Sequence, residues 1–212
     1  MQTVSHIRYW KPRWHAVMAL AGLVVFVASA IAAGGQQLSS AEGFVFETIY
    51  GLPDGLTPLF LAITHLGSEW MVLVLALVAV TDKIKGLAFK VVVNGVATFI
   101  AVEYAKIMIA RPRPFVLQDF VESREPLVAG YGFPSGHTAM ATVLGFTLLP
   151  YLPRRFRPIV PVLVVLVGLS RIYLGVHAPL DINGGLAIGL VIASFQHTWS
   201  SRRQSKKHRP KA

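Results

Sequence analysis

Three short stretches of the sequence combine residue types that bind anions and move protons, and the first is a pair of cations. Arg113 follows Lys106 by seven residues and lies between Pro112 and Pro114. Proline cannot continue a helix, so a helix that carries Lys106 is predicted to end before Arg113. Arginine offers a planar fork of donors and lysine a compact charge, so the pair could clamp an anion. The alternative is that both side chains only reach from a helix end toward the membrane interface.

The second stretch has the pattern of a helix start and reads Pro134-Ser135-Gly136-His137. Ser135 is a suitable N-cap, and Gly136 lets the backbone approach a ligand closely. Free N–H groups at a helix start bind phosphate readily. His137 would stand beside such an anion, with a side chain suited to proton transfer near neutral pH. The alternative is an ordinary capped helix with a surface histidine.

The third stretch pairs a histidine with a carboxylate, because Ser170-Arg171 precedes His177 and Asp181 follows it by four residues. Pro179 suits the first turn of a helix, and a helix starting there would bring Asp181 close to His177. A carboxylate on one ring nitrogen fixes the tautomer and leaves the other nitrogen free to attack. The alternative is a structural His–Asp pair.

The elements that must position these residues are hydrophobic. The chain has 212 residues, of which 54% are hydrophobic and 14% charged, and its mean hydropathy is +0.57. A soluble domain carries about 25% charged residues, so the composition argues against a soluble enzyme and against a nucleic-acid-binding protein, despite a net charge of +10. The absence of cysteine excludes disulfides, thiolate metal sites and cysteine nucleophiles. The length suits a single domain over residues 1–212.

Apolar stretches near the length of a spanning helix, roughly 20 residues, predict an all-α membrane bundle of about six transmembrane helices. The predicted spans are 17–33, 70–80, 86–106, 137–150, 159–174 and 179–199. The weaker stretch 56–66 is interpreted as an interfacial helix or re-entrant segment. Cleavage of the first span as a signal peptide is the alternative for the N-terminal region, since small residues follow its apolar core.

The charge distribution predicts that both termini are cytoplasmic. Fifteen of the 20 Lys and Arg residues fall on the side of the termini, whereas nine of the 10 carboxylates, all but Asp82, fall on the other side. Cytoplasmic loops carry an excess of Lys and Arg, and a basic tail also attracts anionic lipid. The cations predicted on the cytoplasmic side are Arg8, Lys11, Arg13, Lys83, Lys85, Lys90, Arg154, Arg155, Arg157, Arg202, Arg203, Lys206, Lys207, Arg209 and Lys211.

This topology gathers the three polar stretches on the outer side. Lys106, His137, Arg171 and His177 fall at the outer ends of four different predicted spans. Ionisable residues at membrane depth are costly and mark functional sites by default. Three cations, two histidines and one carboxylate can therefore share one pocket in the outer leaflet.

The three stretches resemble the signature motifs of the type 2 phosphatidic acid phosphatase (PAP2) family, which is related to vanadium haloperoxidases and bacterial acid phosphatases. Those motifs are Lys-x6-Arg-Pro, Pro-Ser-Gly-His and Ser-Arg-x5-His-x3-Asp. All three match in order over residues 106–181, about a third of the chain. Arg111 is a rival to Arg113 within the Arg-Pro-Arg-Pro run, but only Arg113 has the family spacing from Lys106.

The resemblance implies a role for each motif residue. His177 would attack phosphorus and form a phosphohistidine, Asp181 would orient His177, and His137 would protonate the leaving oxygen and then assist water. The phosphate oxygens would be bound by Lys106, Arg113, Ser135, Gly136 and Arg171. The family needs no metal and no other cofactor, which agrees with phosphoryl transfer requiring mainly positioning and charge stabilisation.

The resemblance also implies a phosphorylated membrane lipid as substrate, with membrane lipids and not nucleic acid as partners. Undecaprenyl pyrophosphate, phosphatidylglycerophosphate and phosphatidic acid are the candidates, and outward-facing geometry in a bacterial cytoplasmic membrane favours the first. Two alternatives stay open. One is a non-enzymatic anion-binding or transport protein, and the other is vanadium-dependent halide oxidation in the same pocket.

Overall fold

The computed structural model describes residues 12–81, 84–126 and 128–207, and the regular elements in these ranges are helices. Short 3-10 turns flank several of them, at Asp54–Leu56, His65–Gly67, Leu149–Tyr151 and Arg154–Phe156. In chain order the helices are α1 (Pro12–Ala33), α2 (Ser40–Tyr50), α3 (Thr57–Thr64), α4 (Trp70–Thr81), α5 (Lys85–Ile109), α6 (Pro114–Leu117), α7 (Gly136–Leu148), α8 (Ile159–Tyr173) and α9 (Pro179–Lys207).

The surface of the bundle is apolar and its interior holds polar side chains. Leu20, Ile31 and Ile100 are more than half exposed, whereas Asn94 and Thr147 are buried. The amide of Asn94 donates a hydrogen bond of 2.7 Å to the Thr147 hydroxyl, which joins α5 to α7. Helices that pack in lipid show this pattern, because lipid tails accept apolar side chains and polar groups must be satisfied inside. The protein is therefore an integral membrane protein.

Among the described residues, three helical segments have the length and composition to cross a membrane: Trp14–Ala33, Gly86–Leu117 and Arg154–Tyr173. A fourth is possible if Asp54–Gly67 and Trp70–Thr81, which meet at a bend of 59°, form one broken span; the alternative is a re-entrant loop. Six spans and cytoplasmic termini stay predictions. The charges of Arg8, Lys11, Asp82, Lys83, Arg209 and Lys211 lie outside the described residues.

Helices α7 and α9 form the centre of the bundle and carry much of the motif sequence. Most of α7 is buried, and it packs along α9 at Gly185 and Gly189. A Cβ atom at Gly185 would collide with the carbonyl oxygen of Ser135, and one at Gly189 would lie 2.5 Å from the Thr142 Cβ. Small residues at this spacing let two helix backbones approach closely. The contact holds the start of α7 against the first turns of α9.

The helix ends that frame the site follow the local sequence. Helix α5 ends at Ile109, where Ala110 adopts a left-handed conformation with φ of 51°. Arg113 is then the N-cap of α6, Ser135 is the N-cap of α7, and α9 begins at Pro179. Three predictions are confirmed: the helix with Lys106 ends before Pro112, Ser135 caps a helix, and Pro179 begins one.

Helix α2 lies in the stretch 34–69, for which sequence reasoning proposed only the weaker segment 56–66. The hydroxyl of Ser39 accepts a hydrogen bond of 3.3 Å from the backbone N–H of Glu42 and caps the helix. The run Ser39-Ser40-Ala41-Glu42 has the Ser-x-x-Glu pattern of a capping box, so the sequence did contain a start signal for this helix. The side chain of Glu42 is buried and contacts the motif region.

Candidate active site

One polar cavity of about 260 Å³ lies where the ends of α5, α7 and α8 meet the segments between helices. Lys106 reaches it from the last turn of α5, Gly136 and His137 from the first turn of α7, and Arg171 from the last turn of α8. The connections supply the other motif residues that line it, Arg113 and His177. Ser135 and Asp181 lie behind the cavity wall.

His177 is buried in the connection between α8 and α9, and its two ring nitrogens face partners of opposite character. Nδ1 lies 3.4 Å from Oδ2 of Asp181, and Nε2 lies 3.3 Å from Nη1 of Arg113. A carboxylate only accepts and a guanidinium only donates. These partners favour the tautomer with the proton on Nδ1, which leaves a lone pair on Nε2 at the cavity.

The imidazole of His177 is kept neutral by its surroundings. Burial lowers the pKa of His177 well below its ordinary value, and the positive charges of Arg113, Arg171 and Lys106 lower it further. Both effects disfavour the charged form of a histidine. A neutral imidazole with an available lone pair is the form that a nucleophile requires.

Asp181 is fixed by its own helix as well as by its neighbours. It lies in the first turn of α9, where its Oδ2 accepts a hydrogen bond of 2.8 Å from the backbone N–H of Ala178. Its Oδ1 lies 3.1 Å from Nη1 of Arg111. Both carboxylate oxygens are thus engaged, and the rotation of the side chain is restricted. This restriction sets the orientation of the His177 ring.

Arg113 is held rigidly at the cavity by main-chain acceptors. Nε donates 3.0 Å to the carbonyl of Gly130, Nη2 donates 2.9 Å to that of Ala129, and Nη1 donates 3.0 Å to that of Val176. Arg113 is therefore a preorganised positive charge beside Nε2 of His177. Preorganised charge contributes most where a transition state develops negative charge.

Two carboxylates accompany the other cations, and neither was singled out from the sequence. Glu103 lies 2.7 Å from the Lys106 ammonium, and Glu125 pairs with the Arg171 guanidinium at 2.6 Å. Both carboxylates line the cavity. The i,i+3 spacing of Glu103 and Lys106 on a helix signals their pairing, whereas Glu125 comes from a loop and has no such signal. A phosphate that binds Arg171 must share it with Glu125 or displace that carboxylate.

The start of α7 places His137 at the cavity, whose lining also includes the three cations. The hydroxyl of Ser135 accepts hydrogen bonds from the N–H and the hydroxyl of Thr138, at 3.4 and 3.1 Å, so its side chain serves the helix start. Gly67 packs against the backbone of His137 so closely that a Cβ atom there would collide with its carbonyl oxygen. Phosphate binding by Ser135 and Gly136 stays a prediction.

Arg111, the rival to Arg113, occupies a different place. It is fully buried behind the cavity, where it pairs with Glu42 at 2.7 Å and with Asp181 at 3.1 Å. This ion-pair chain reaches Asp181 from the side opposite His177. The motif spacing from Lys106 thus selects the arginine that lines the cavity.

Comparison with known proteins gives the family of the chain. The model of the PAP2 superfamily matches residues 84–205, which is more than half of the sequence. The chain therefore belongs to the PAP2 superfamily. Its phosphatases are phosphoric ester hydrolases, and the chain is an enzyme of this class.

Individual relatives agree with this assignment. An undecaprenyl-diphosphatase of Sulfolobus acidocaldarius is 29% identical over 158 residues, covering 74% of this chain and 77% of the relative. A crystal structure of a PAP2-type phosphatidylglycerolphosphate phosphatase from Bacillus subtilis is 26% identical, with a TM-score of 0.65, covering 90% of this chain and 98% of that one. The crystal structure of Aquifex aeolicus LpxE is 27% identical with the same TM-score of 0.65, covering 72% and 92%.

Proposed function

We propose that residues 1–212 form a single membrane phosphatase domain that removes phosphate from a phosphorylated lipid through a phosphohistidine on His177. The observation that carries this proposal is the placement of His177. Its Nδ1 faces Asp181, and its Nε2 faces Arg113 at a cavity with two further cations. An anion-binding or transport protein does not account for an oriented, neutral imidazole in this position.

The proposed reaction has two steps. In the first, Nε2 of His177 bonds to phosphorus while the bond from phosphorus to the leaving oxygen breaks, and His137 gives that oxygen a proton. In the second, His137 takes a proton from water, the water oxygen bonds to phosphorus, and the P–N bond breaks to release phosphate. Asp181 stabilises the charge that develops on His177. The oxygens of the transferred group are stabilised by Lys106, Arg113, Ser135, Gly136 and Arg171.

The surroundings of the site favour a lipid over a soluble ester. An apolar cavity of about 330 Å³ lies between α4, α7 and α8, with Leu66 and Val167 among its lining residues. Gly67, the next residue after Leu66, lines the polar cavity. A headgroup in the polar cavity and a hydrocarbon chain beside α7 would therefore be neighbours. We propose that the site faces outward from a bacterial cytoplasmic membrane, as the charge distribution predicts.

Undecaprenyl pyrophosphate is the substrate we place first. The relative that covers 74% of the chain is an undecaprenyl-diphosphatase. Phosphatidylglycerophosphate is the second candidate, since a solved structure covering 90% of the chain is a phosphatidylglycerolphosphate phosphatase. Phosphatidic acid is the third. All three present a phosphate to the cavity and a hydrocarbon chain to the membrane.

The test is phosphate release in detergent from these three lipids and from a short-chain soluble phosphate ester, with EDTA present. Wild-type protein is compared with His177→Ala and with His65→Ala, which replaces an exposed histidine outside the three motifs. We expect release from at least one lipid in the wild type and in His65→Ala, and none in His177→Ala. Loss of activity in EDTA that magnesium restores would contradict metal independence. Peroxidase activity with vanadate, peroxide and halide, without hydrolysis, would favour the haloperoxidase alternative.

A further inference from the structure

A buried chain of charges extends the His177–Asp181 pair away from the cavity. Oδ1 of Asp181 lies 3.1 Å from Nη1 of Arg111, whose Nη1 and Nη2 donate to the two carboxylate oxygens of Glu42 at 2.9 and 2.7 Å. The relative exposure is 0% for Arg111 and Asp181 and 6% for Glu42. Along this row, neutral His177 is followed by negative Asp181, positive Arg111 and negative Glu42.

Glu42, the group in this row of charges that lies furthest from His177, is bonded to the same turn of α9 that carries Asp181. Oε1 of Glu42 also accepts a hydrogen bond of 3.0 Å from the backbone N–H of Leu180, the residue before Asp181. Arg111 makes a further bond of 3.1 Å to the carbonyl of Gln37. Glu42 and the carbonyl of Gln37 thus fix the orientation of the Arg111 guanidinium, which in turn contacts Asp181.

We propose that Arg111 and Glu42 are positioning residues for catalysis, which hold Asp181, and through it the attacking ring of His177, in the reactive orientation. This inference rests on the function proposed above. Arg111 lies on the side of Asp181 away from the cavity, so it acts on the reaction through the carboxylate and not on the phosphate. Glu42 acts one step further away, by fixing Arg111.

Electrostatics explains why removal of one member would affect the others. Breaking a buried ion pair leaves an uncompensated charge, which is strongly unfavourable. Without Arg111, the carboxylates of Glu42 and Asp181 would share a buried region with no cation between them. Asp181 would then take up a proton or rotate away, and either change removes the acceptor that holds Nδ1 of His177.

The inference also gives helix α2 a function. Glu42 lies outside residues 84–205, the part of the chain that the superfamily model matches. Its contacts with Arg111 and Leu180 join α2 to the first turn of α9. We infer that α2 is part of the catalytic unit, although it contributes no residue to the lining of the polar cavity.

The experiment compares Arg111→Gln, Arg111→Lys and Glu42→Gln with wild type. Arg124→Gln is the matched control, because Arg124 ties the end of α2 to α8 through the carbonyls of Tyr50 and Tyr173. The measurements are kcat and KM on the preferred lipid, the inhibition constant of inorganic phosphate, and the unfolding temperature in detergent.

We expect Arg111→Gln to lower kcat about 10-fold to 100-fold, by analogy with the loss when a residue that orients a metal ligand is removed. KM and the phosphate inhibition constant should stay within about twofold of wild type, because ground-state binding is untouched. Arg111→Lys should recover part of kcat by restoring the charge, and Arg124→Gln should keep kcat. The loss in a Glu42→Gln/Arg111→Gln double variant should be less than additive, as for residues that act as a unit.

Three results would overturn the inference while leaving the proposed function intact. A phosphate inhibition constant that rises in proportion to the loss of kcat would make Arg111 a phosphate ligand. Equal loss of kcat in Arg111→Gln and Arg124→Gln would show a structural role only, and unchanged kcat in Arg111→Gln and Glu42→Gln would show no role. If the wild type releases no phosphate from any lipid, the proposed function fails and this inference fails with it.

Discussion

At the scale of single residues, chemistry depends on what each ring nitrogen and each charged group faces. His177 carries the same side chain as exposed His65, but it is buried between a carboxylate and a guanidinium. The motif spacing predicted the His177–Asp181 pair correctly, because four residues across a helix start bring two side chains together. The partners Glu42 and Glu125 were not predicted, since they come from distant segments whose approach depends on tertiary packing.

His137 is the residue whose proposed role is limited to proton transfer. Replacing it in His137→Ala should lower kcat about 100-fold or more while changing KM little, because general acid catalysis contributes about 10²–10⁴-fold. Steady-state kinetics on the preferred lipid provide the measurement. The loss should shrink with a substrate whose leaving group needs no proton. A change confined to KM would contradict the acid role of His137.

The lowered pKa of His177 predicts a pH dependence. Burial and the nearby cations lower this pKa below about 6.5, the ordinary value. The imidazole is neutral above its pKa, so the reactive form should persist as pH falls to about 6.5 and be lost only below it. The measurement is the profile of kcat/KM against pH, which reports groups of the free enzyme.

A control for this profile is needed because a phosphate monoester itself titrates near pH 6. Titrating the lipid itself in the same detergent separates the two sources, since a limb that belongs to the enzyme does not follow the pKa of the substrate phosphate. An enzyme limb centred clearly above pH 6.5, on which kcat/KM falls as the pH is lowered, would show that His177 does not carry the depressed pKa.

At the scale of helices, caps and close contacts position the site. The capping serine of α7, the proline that begins α9 and the break after α5 were predictable, because each depends on local backbone chemistry. Helix α2 was not predicted, although its capping pattern was present, because its 11 residues do not form a long apolar run. Its function depends on Glu42, which apolar periodicity does not reveal.

The contact between α7 and α9 predicts different outcomes for two glycine substitutions. Gly185→Ala should destabilise the protein by about 1–3 kcal/mol, the usual cost of overpacking, because a Cβ there meets the backbone of α7. Gly86→Ala in α5 is the matched control, since a Cβ at Gly86 meets open space and alanine favours a helix. Thermal unfolding in detergent measures both. Equal unfolding temperatures for the two variants would contradict the importance of this contact.

At the scale of the whole molecule, the helical bundle has an apolar surface and polar side chains in its interior, and its polar site lies at helix ends. Among the described residues, three helical segments have the length and composition to span a membrane, or four with the bent pair. The prediction of six spans depended on apolar stretches alone. Helix α7, with 13 residues, is shorter than the roughly 20 residues of a full span, and α9 begins with polar motif residues. Hydropathy nevertheless predicted both helices, at 137–150 and 179–199, close to their observed bounds of Gly136–Leu148 and Pro179–Lys207, and they carry His137 and Asp181.

The lack of cysteine in the sequence makes a direct test of sidedness possible. Single cysteines are introduced by Asp119→Cys, in the segment predicted to lie outside, and by Arg154→Cys, in a predicted cytoplasmic turn. A membrane-impermeant maleimide should label the first variant in intact cells and the second only after permeabilisation. Cysteine-free wild type is the control for background labelling. The reverse pattern would place the cavity on the cytoplasmic side.

The central claim is that His177 carries the phosphoryl group, and trapping the intermediate tests it most directly. Wild-type protein and His177→Ala are mixed with a ³²P-labelled lipid from the panel, quenched in alkali because phosphohistidine is acid-labile, and analysed by peptide mass spectrometry. The account predicts a transient phosphoryl group on the His177 peptide of the wild type and neither label nor turnover in His177→Ala. A label on another residue, or phosphate release at the wild-type rate by His177→Ala, would contradict it.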